Sequence, residues 1–511
     1  MNIYKKLLVF GLVTLSFFGC DDKLDEYYYD SSKVTKATVD NFLTGLLKEG
    51  NNMTFPSYNY IVSFTNPSVS VYTQSRGYSF STGIYSPGGS QNMWWGNYFN
   101  VVRQYRELES LYSKLTDKEK EDKKIFMIAA KIYMHYQTER TVSMFGDIPW
   151  SEAGMLKSNN GDLEASKPKY DDDKEIYKQI LKELKEAAVE LNDIEVPAFV
   201  ANSFKDKDFI NNGDIDIWKR FCNSLRVKLL TRVSGADGFD VKGELAEIFS
   251  NPATYPVIES NEHNVFVKAD GPNMFTRGLR SGYQTWNLDL ASYVFTKHMV
   301  DNKDPRLEVM LDPTKDGKYV GLDPDLPSDK QQELISDGKI ARLDSATFMH
   351  NELCHGLILT ASEVLLCKAE AATKGFISAD ANEAFTEAIE QSTKLFHEIN
   401  ARSTHRTPLT LDEAAMDKYT KDMSLADATN KLEAIMWQKY LHLAVLRTEE
   451  AWAEIRRTGY PEFSFKTDNN NTIKTPPTRL SYPESEKSWN GAHYALVKKD
   501  DTPFTKLFWA K

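Results

Sequence analysis

From residue 96 onward, apolar positions recur every three or four residues, the spacing that lines one face of an α-helix. Residues 171–191 show it most clearly. Ile176, Ile180, Leu184, Ala187, Ala188 and Leu191 make an apolar stripe, and Lys178, Lys182, Glu183, Lys185, Glu186 and Glu190 make the solvated face. Asp171, Asp172 and Asp173 stand at its start, where negative charge suits the helix dipole. The same spacing predicts helices over 96–115, 123–144, 216–234, 287–300, 357–373, 379–399 and 424–457. Asn287 is a suitable N-cap for the fifth of these eight helices in chain order. Gly146-Asp147-Ile148-Pro149 stops the helix before it, because glycine can cap and proline cannot continue. Residues 251–285 and 303–356 read as loop-rich and 464–511 as irregular. The fold class is therefore mainly α. Helices arriving in pairs of similar length suggest a tetratricopeptide-like helical scaffold with long irregular, aromatic-rich loops, although no strict repeat is visible.

Residues 51–100 break the pattern. They hold twelve aromatic residues and a single charged one, Arg76, among Ser, Thr, Asn, Gln and Gly. Neither helical nor strand periodicity runs through them, and Pro87, Gly88 and Gly89 punctuate them, so much of this stretch reads as loop. Over the whole chain Phe, Tyr and Trp make 12% of 511 residues. The formal charge of −11 disfavours nucleic acid as a partner.

The first 19 residues read as a leader. Lys5 and Lys6 precede an apolar run over 7–18 that is too short to span a bilayer. Gly19-Cys20 then resembles a lipoprotein signal-peptidase site, with Cys20 as the lipid-bearing residue and 20–511 as a single domain. The following Asp21-Asp22-Lys23-Leu24-Asp25-Glu26 resembles a surface-export signal of some Gram-negative lipoproteins. Cys222, Cys354 and Cys367 offer no disulfide framework, and His350, Cys354 and His355 lack a second ligand pair. Asp312, Thr314, Asp316, Gly317 and Asp323 approach a calcium loop but read better as an Asp-Gly turn. No cofactor or metal is expected. The familiar nucleophile, zinc-hydrolase and phosphate-loop motifs are missing, which is weak evidence by itself, and a surface glycoside hydrolase stands as an alternative reading.

Flat aromatic rings free of ionic neighbours suit a carbohydrate. The axial C–H face of a sugar stacks on indole or phenol, and amides, hydroxyls and guanidinium groups bond the hydroxyl rim. Trp94, Trp95, Asn97 and Tyr98 offer both components within five residues, Tyr283 and Trp286 offer a second wall near Arg277 and Arg280, and Arg76 supplies a rim donor. These are the expected ligand contacts.

Several segments, in order along the chain, resemble the SusD/RagB family of outer-membrane nutrient-binding lipoproteins. They are the helix ending in Phe145-Gly146-Asp147-Ile148-Pro149-Trp150, then Pro168-Lys169-Tyr170-Asp171, Trp218 to Leu229, and Asp304-Pro305-Arg306-Leu307. Glu363 to Ala371, Glu450-Ala451-Trp452-Ala453-Glu454-Ile455-Arg456-Arg457-Thr458-Gly459-Tyr460-Pro461, and Arg479-Leu480 with Tyr482-Pro483 and Glu486 complete the set. Ser362 stands where the family pattern has Ala. These motifs are expected to mark the fold rather than the ligand site. The resemblance implies a lipid-anchored, surface-exposed outer-membrane protein that captures oligosaccharides for a SusC-like TonB-dependent transporter, or peptides as RagB-type members do.

Overall fold

The computed structural model describes residues 38–79, 82–269, 279–284 and 287–511. Nine helices build the frame. They are α1 (Val39–Gly50), α2 (Ser90–Ser113), α3 (Lys124–Phe145), α4 (Asp173–Asn192), α5 (Ile215–Arg232), α6 (Ala361–Thr373), α7 (Ala381–Arg402), α8 (Lys431–Leu443) and α9 (Thr448–Thr458). Side chains cap most of their N-termini: Asp172 accepts from Glu175 N, Thr360 from Glu363 N, Asp380 from Glu383 N and Asn430 from Glu433 N. Each helix packs on the next from α1 to α7, α6 also carries α8, and α8 carries α9. This serial stacking is the mainly α, tetratricopeptide-like scaffold that the periodicity predicts. Three short antiparallel pairs fasten the connections. They are β1 (Ile148–Pro149) with β2 (Tyr170–Asp171), β3 (Val265–Val267) with β6 (Gly356–Leu359), and β4 (Leu311–Asp312) with β5 (Arg342–Leu343). Among the described residues no helix is long and apolar enough to cross a membrane.

Four boundaries differ from the sequence expectation. The helix expected from residue 96 starts at Ser90. The one expected from residue 287 starts at Tyr293, because Ser292 caps it while Asn287 turns into the left-handed region at φ 55°. Leu357 to Leu359, expected as the start of a helix, belong to the strand Gly356–Leu359. The long helix over 424–457 is divided, since Arg447 leaves helical geometry (φ −132°) and donates to the Ile358 carbonyl and to Glu449.

The centre of the frame holds a buried ionic network rather than a purely apolar core. Lys228 and Arg232 of α5 pair with Glu139, Glu450 and Glu454. Arg457 grips Glu370 of α6 through both terminal nitrogens at 2.7 and 2.6 Å and also meets Glu454 at 2.7 Å. Arg140 of α3 meets Glu449 at 2.8 Å. The charged positions of the Glu450-to-Pro461 motif therefore hold helices together, as expected of a fold-marking motif.

The Gly-Asp-Ile-Pro turn is likewise structural. Gly146 sits at φ 76° and ends α3, and the Asp147 carboxylate accepts from Asp173 N at 2.9 Å. Tyr482 donates to the Asp147 carbonyl at 2.6 Å, and Leu480 N donates to the Met144 carbonyl at 2.8 Å. Carboxylate oxygens of Asp147, Asp172 and Asp173 lie within 4.8 Å of one another. Burial, then the charges of Asp147 and Asp172, push Asp173 up to about 7. A raised carboxyl binds a proton in the folded chain that the unfolded chain releases, so stability falls as pH rises from the ordinary Asp range to about 7. Asp173→Asn removes that loss. Melts with chelator present should show the variant about 2–3 kcal/mol more stable than the wild type at pH 8, with the gap closing toward pH 4. Parallel wild-type and variant curves across that range would contradict the assignment.

Candidate functional site

The first three turns of α2 decide where the sequence-predicted contacts go. Trp94, Trp95, Tyr98, Val101, Val102, Tyr105 and Leu108 fall on the buried stripe. Asn92, Met93, Gly96, Asn97 and Asn100 fall on the opposite face, where they line an open hollow of about 830 Å³. Asn52, Ser57, Asn59 and Ser63, carried by the chain before and within the short π-helix Tyr60–Thr65, form the facing wall. The lining contains five asparagines, two serines and no charged side chain. A cluster of amide donors and acceptors with no net charge is suited to a neutral, hydroxyl-rich ligand. Gly89 and Gly96 add no bulk, and a Cβ at either would meet nothing within 4 Å. Asn97 Nδ2 lies 3.0 Å from Met93 Sδ, which orients its amide.

Both walls are pinned from the interior. Arg140 donates to the Met53 carbonyl at 2.6 Å and to Thr54 Oγ1 at 3.1 Å. Tyr60 donates to Glu449 at 2.8 Å. On the α2 side, Trp94 Nε1 donates to Thr141 at 3.1 Å, its ring lies 4.8 Å from the Arg140 guanidinium, and Tyr98 Oη lies 3.2 Å from Thr138 Oγ1.

Most of the sequence-predicted contacts are thus corrected. Trp94 is 0% exposed and Trp95 6%, the latter enclosed by Phe99, Phe145 and Tyr482. Tyr98 and Tyr283 are also buried. Helical spacing drives the first three inward, and the helix Leu279–Gln284 packs Tyr283 into an apolar cluster with Ile61, Leu288 and Phe348. Arg76 is buried and donates to the Leu288 carbonyl and Asn66 Oδ1, which makes it a tie between loops; burial lowers its pKa to about 10. Among the described residues of the predicted set, Asn97 alone lines the hollow. Trp286, Arg277 and Cys20 lie outside the described residues. Sequence reading missed Asn52, Asn59, Asn92 and Asn100. It also passed over Tyr58, which stands between two lining residues and is 40% exposed. The Asp312-to-Asp323 segment is the expected turn, with Gly317 at φ 72° and its N–H on the Thr314 carbonyl at 2.9 Å.

Comparison with known proteins agrees with this architecture. Residues 30–483 match the profile of the SusD-like family, described as starch-binding and associating with the outer membrane. The chain belongs to the SusD-like family. A chitin-binding protein of known structure superposes with a TM-score of 0.75 at 22% identity, covering 92% of this chain and 100% of its own. A SusD homologue from Bacteroides fragilis gives 0.73 at 22% identity over 93% and 99%. A SusD-like protein from Bacteroides thetaiotaomicron gives 0.69 at 20% identity over 92% and 98%. No curated protein sequence matches the chain.

Proposed function

We propose that the protein is a cell-surface glycan-binding lipoprotein that captures oligosaccharides in the asparagine-lined hollow and passes them to a SusC-like TonB-dependent transporter of the outer membrane. Cys20 is the lipid-bearing residue in this reading, and the protein binds without catalysis. The observation that carries it is the uncharged amide and hydroxyl lining on two rigid walls. Its volume lies within the range of about 300–1,000 Å³ usual for organic ligands, large enough for more than one sugar ring. Tyr58, 40% exposed between the lining residues Ser57 and Asn59, is the candidate stacking ring in place of the buried indoles. Membership of a family described as starch-binding and outer-membrane associated, and likeness in fold to a chitin-binding protein, support the same reading.

Calorimetry against starch- and chitin-derived oligosaccharides, among a wider panel, tests it. Asn97→Ala and Asn100→Ala each remove hydrogen-bonding groups to ligand hydroxyls and should each cost about 1 kcal/mol, roughly a fivefold loss of affinity apiece and about thirtyfold for the pair together. Their melting temperatures should stay at the wild-type value, because neither side chain is in the core. Unchanged affinity in the double variant would overturn the site. Binding of peptides and no glycan would replace the ligand class, and new reducing ends released by pure protein would replace binding with hydrolysis.

A further inference from the structure

A second cleft opens on another face of α2, between α2, α3, α4 and the turn after Pro149. It encloses about 310 Å³. Its wall combines two aromatic rings, Tyr105 and Trp150, with the planar polar groups of Glu109, His135, Gln179 and Glu183. The backbone of Trp150 is held on both sides: its N–H donates to Asp171 at 3.0 Å and its carbonyl accepts from Arg106 at 3.1 Å. The indole is thereby fixed 6.4 Å, ring centre to ring centre, from the His135 imidazole.

The charges of the wall are matched internally. Arg106 pairs with Glu109 at 2.6 Å, and its remaining donors go to the carbonyls of Trp150, Ser151 and Ala153. Glu183 accepts from Gln179 at 2.6 Å, meets His135 Nε2 at 2.9 Å and has Lys131 at 3.9 Å. Burial pushes Glu183 upward, but the His135 and Gln179 bonds and the Lys131 charge outweigh it and hold the group at about 2, so it stays ionised. An ionic ligand would find no unbalanced charge to pair with, and an apolar one would strip water from carboxylates and amides without replacing it. His135 gives Nε2 to Glu183 and buries Nδ1 beneath the surface, so the imidazole frames the wall and leaves the hydroxyl bonding to the carboxylates and the Gln179 amide. A neutral ring with hydroxyls suits this wall: C–H groups against indole, hydroxyls to carboxylate and amide. The volume, at the small end of ligand pockets, suits one ring rather than a chain.

We propose that this cleft is a separate site for a single neutral sugar ring, with the Trp150 indole as its stacking face and Glu109, Gln179 and Glu183 as its hydroxyl partners. The site stands independently of the asparagine hollow, so either can fail alone. NMR titration with the methyl glycosides of glucose, galactose, mannose and N-acetylglucosamine tests it on wild type, Trp150→Ala, Gln179→Ala and Asn97→Ala. At least one glycoside should saturate in the millimolar range and shift the Trp150 indole signal. Trp150→Ala should lower that affinity about tenfold or more and Gln179→Ala about threefold to tenfold, while Asn97→Ala leaves it unchanged. Gln179, on the partly exposed face of α4, keeps the test valid if Trp150→Ala fails to fold. The proposal is overturned if no glycoside saturates, if methylammonium or acetate binds there in preference, or if Asn97→Ala abolishes the signal and Gln179→Ala does not.

Discussion

Trp94→Ala lowers the stability of the fold by about 3–5 kcal/mol, and whatever binding it loses is lost with the fold. The side chain is fully buried, its ring packs 4.6 Å from Phe64, and the Arg140 guanidinium lies 4.8 Å from it on the other side. Truncation opens a cavity, leaves Thr141 without its indole donor, and removes the cation–π partner of an arginine that also holds Met53 and Thr54. The α2 wall and the facing wall of the hollow therefore loosen together. Chemical denaturation with calorimetry checks this. Trp94→Phe should recover part of the stability and most of the affinity of the remaining folded protein, and Asn97→Ala should show the reverse pattern, wild-type stability with weakened binding. A Trp94→Ala protein of wild-type stability that no longer binds glycan would place the indole at the ligand and contradict the structure of this helix.

The contrast between Trp94 and Asn97 also shows what the sequence could disclose. The helical frame, its turns and the ordered family motifs were legible, because each rests on local spacing: apolar stripes, the Asp cluster before Glu175, Gly146 before Pro149. The site was half legible. Composition marked the stretch that lines the hollow, rich in amides and rings and nearly without charge. The error lay in starting the helix at Gly96 instead of Ser90. Once the helix covers Trp94 and Trp95, they join Tyr98, Val101, Val102 and Tyr105 as the apolar stripe, and Asn92, Gly96, Asn97 and Asn100 share the other face. Indoles taken for a ligand platform thus become the packing that presents the amides. The facing wall could not have been read from spacing. Asn52 and Asn59 reach the hollow because Arg140 and Glu449, 309 positions apart, meet in the core and fix Met53 and Tyr60. Arg76 illustrates the same limit: a lone charge in an aromatic loop reads as a ligand donor until its tertiary partners, Asn66 and the Leu288 carbonyl, are known.

Arg457→Met should destabilise the protein by about 3–5 kcal/mol at neutral pH, comparable to the loss at Trp94 but with a pH signature of its own. Arg457 is buried and serves two buried carboxylates, Glu370 at 2.7 and 2.6 Å and Glu454 at 2.7 Å. Burial pushes Glu370 upward, yet the Arg457 charge and hydrogen bonds, helped by Lys374, outweigh it and leave the group at about 2. A carboxyl held below its unfolded value adds stability that is fully present above the unfolded range, near 4.5, and is lost as pH falls from there toward 2. Without the guanidinium that contribution goes, so the gap between variant and wild type should be widest at pH 6–8 and narrow steadily below about pH 4.5. The companion variant Arg457→Met with Glu370→Leu removes the stranded carboxylate as well as its partner. It should regain a large part of the stability, since replacing both members of a buried pair by apolar groups costs far less than breaking it. Denaturant unfolding of the wild type, Arg457→Met, Glu370→Leu and the double variant at pH 3, 5 and 7 yields the coupling. A penalty that is the same at every pH, or a double variant weaker than the single one by the full cost of Glu370→Leu alone, would show that Arg457 acts through packing and not through the ion pair that joins α9 to α6.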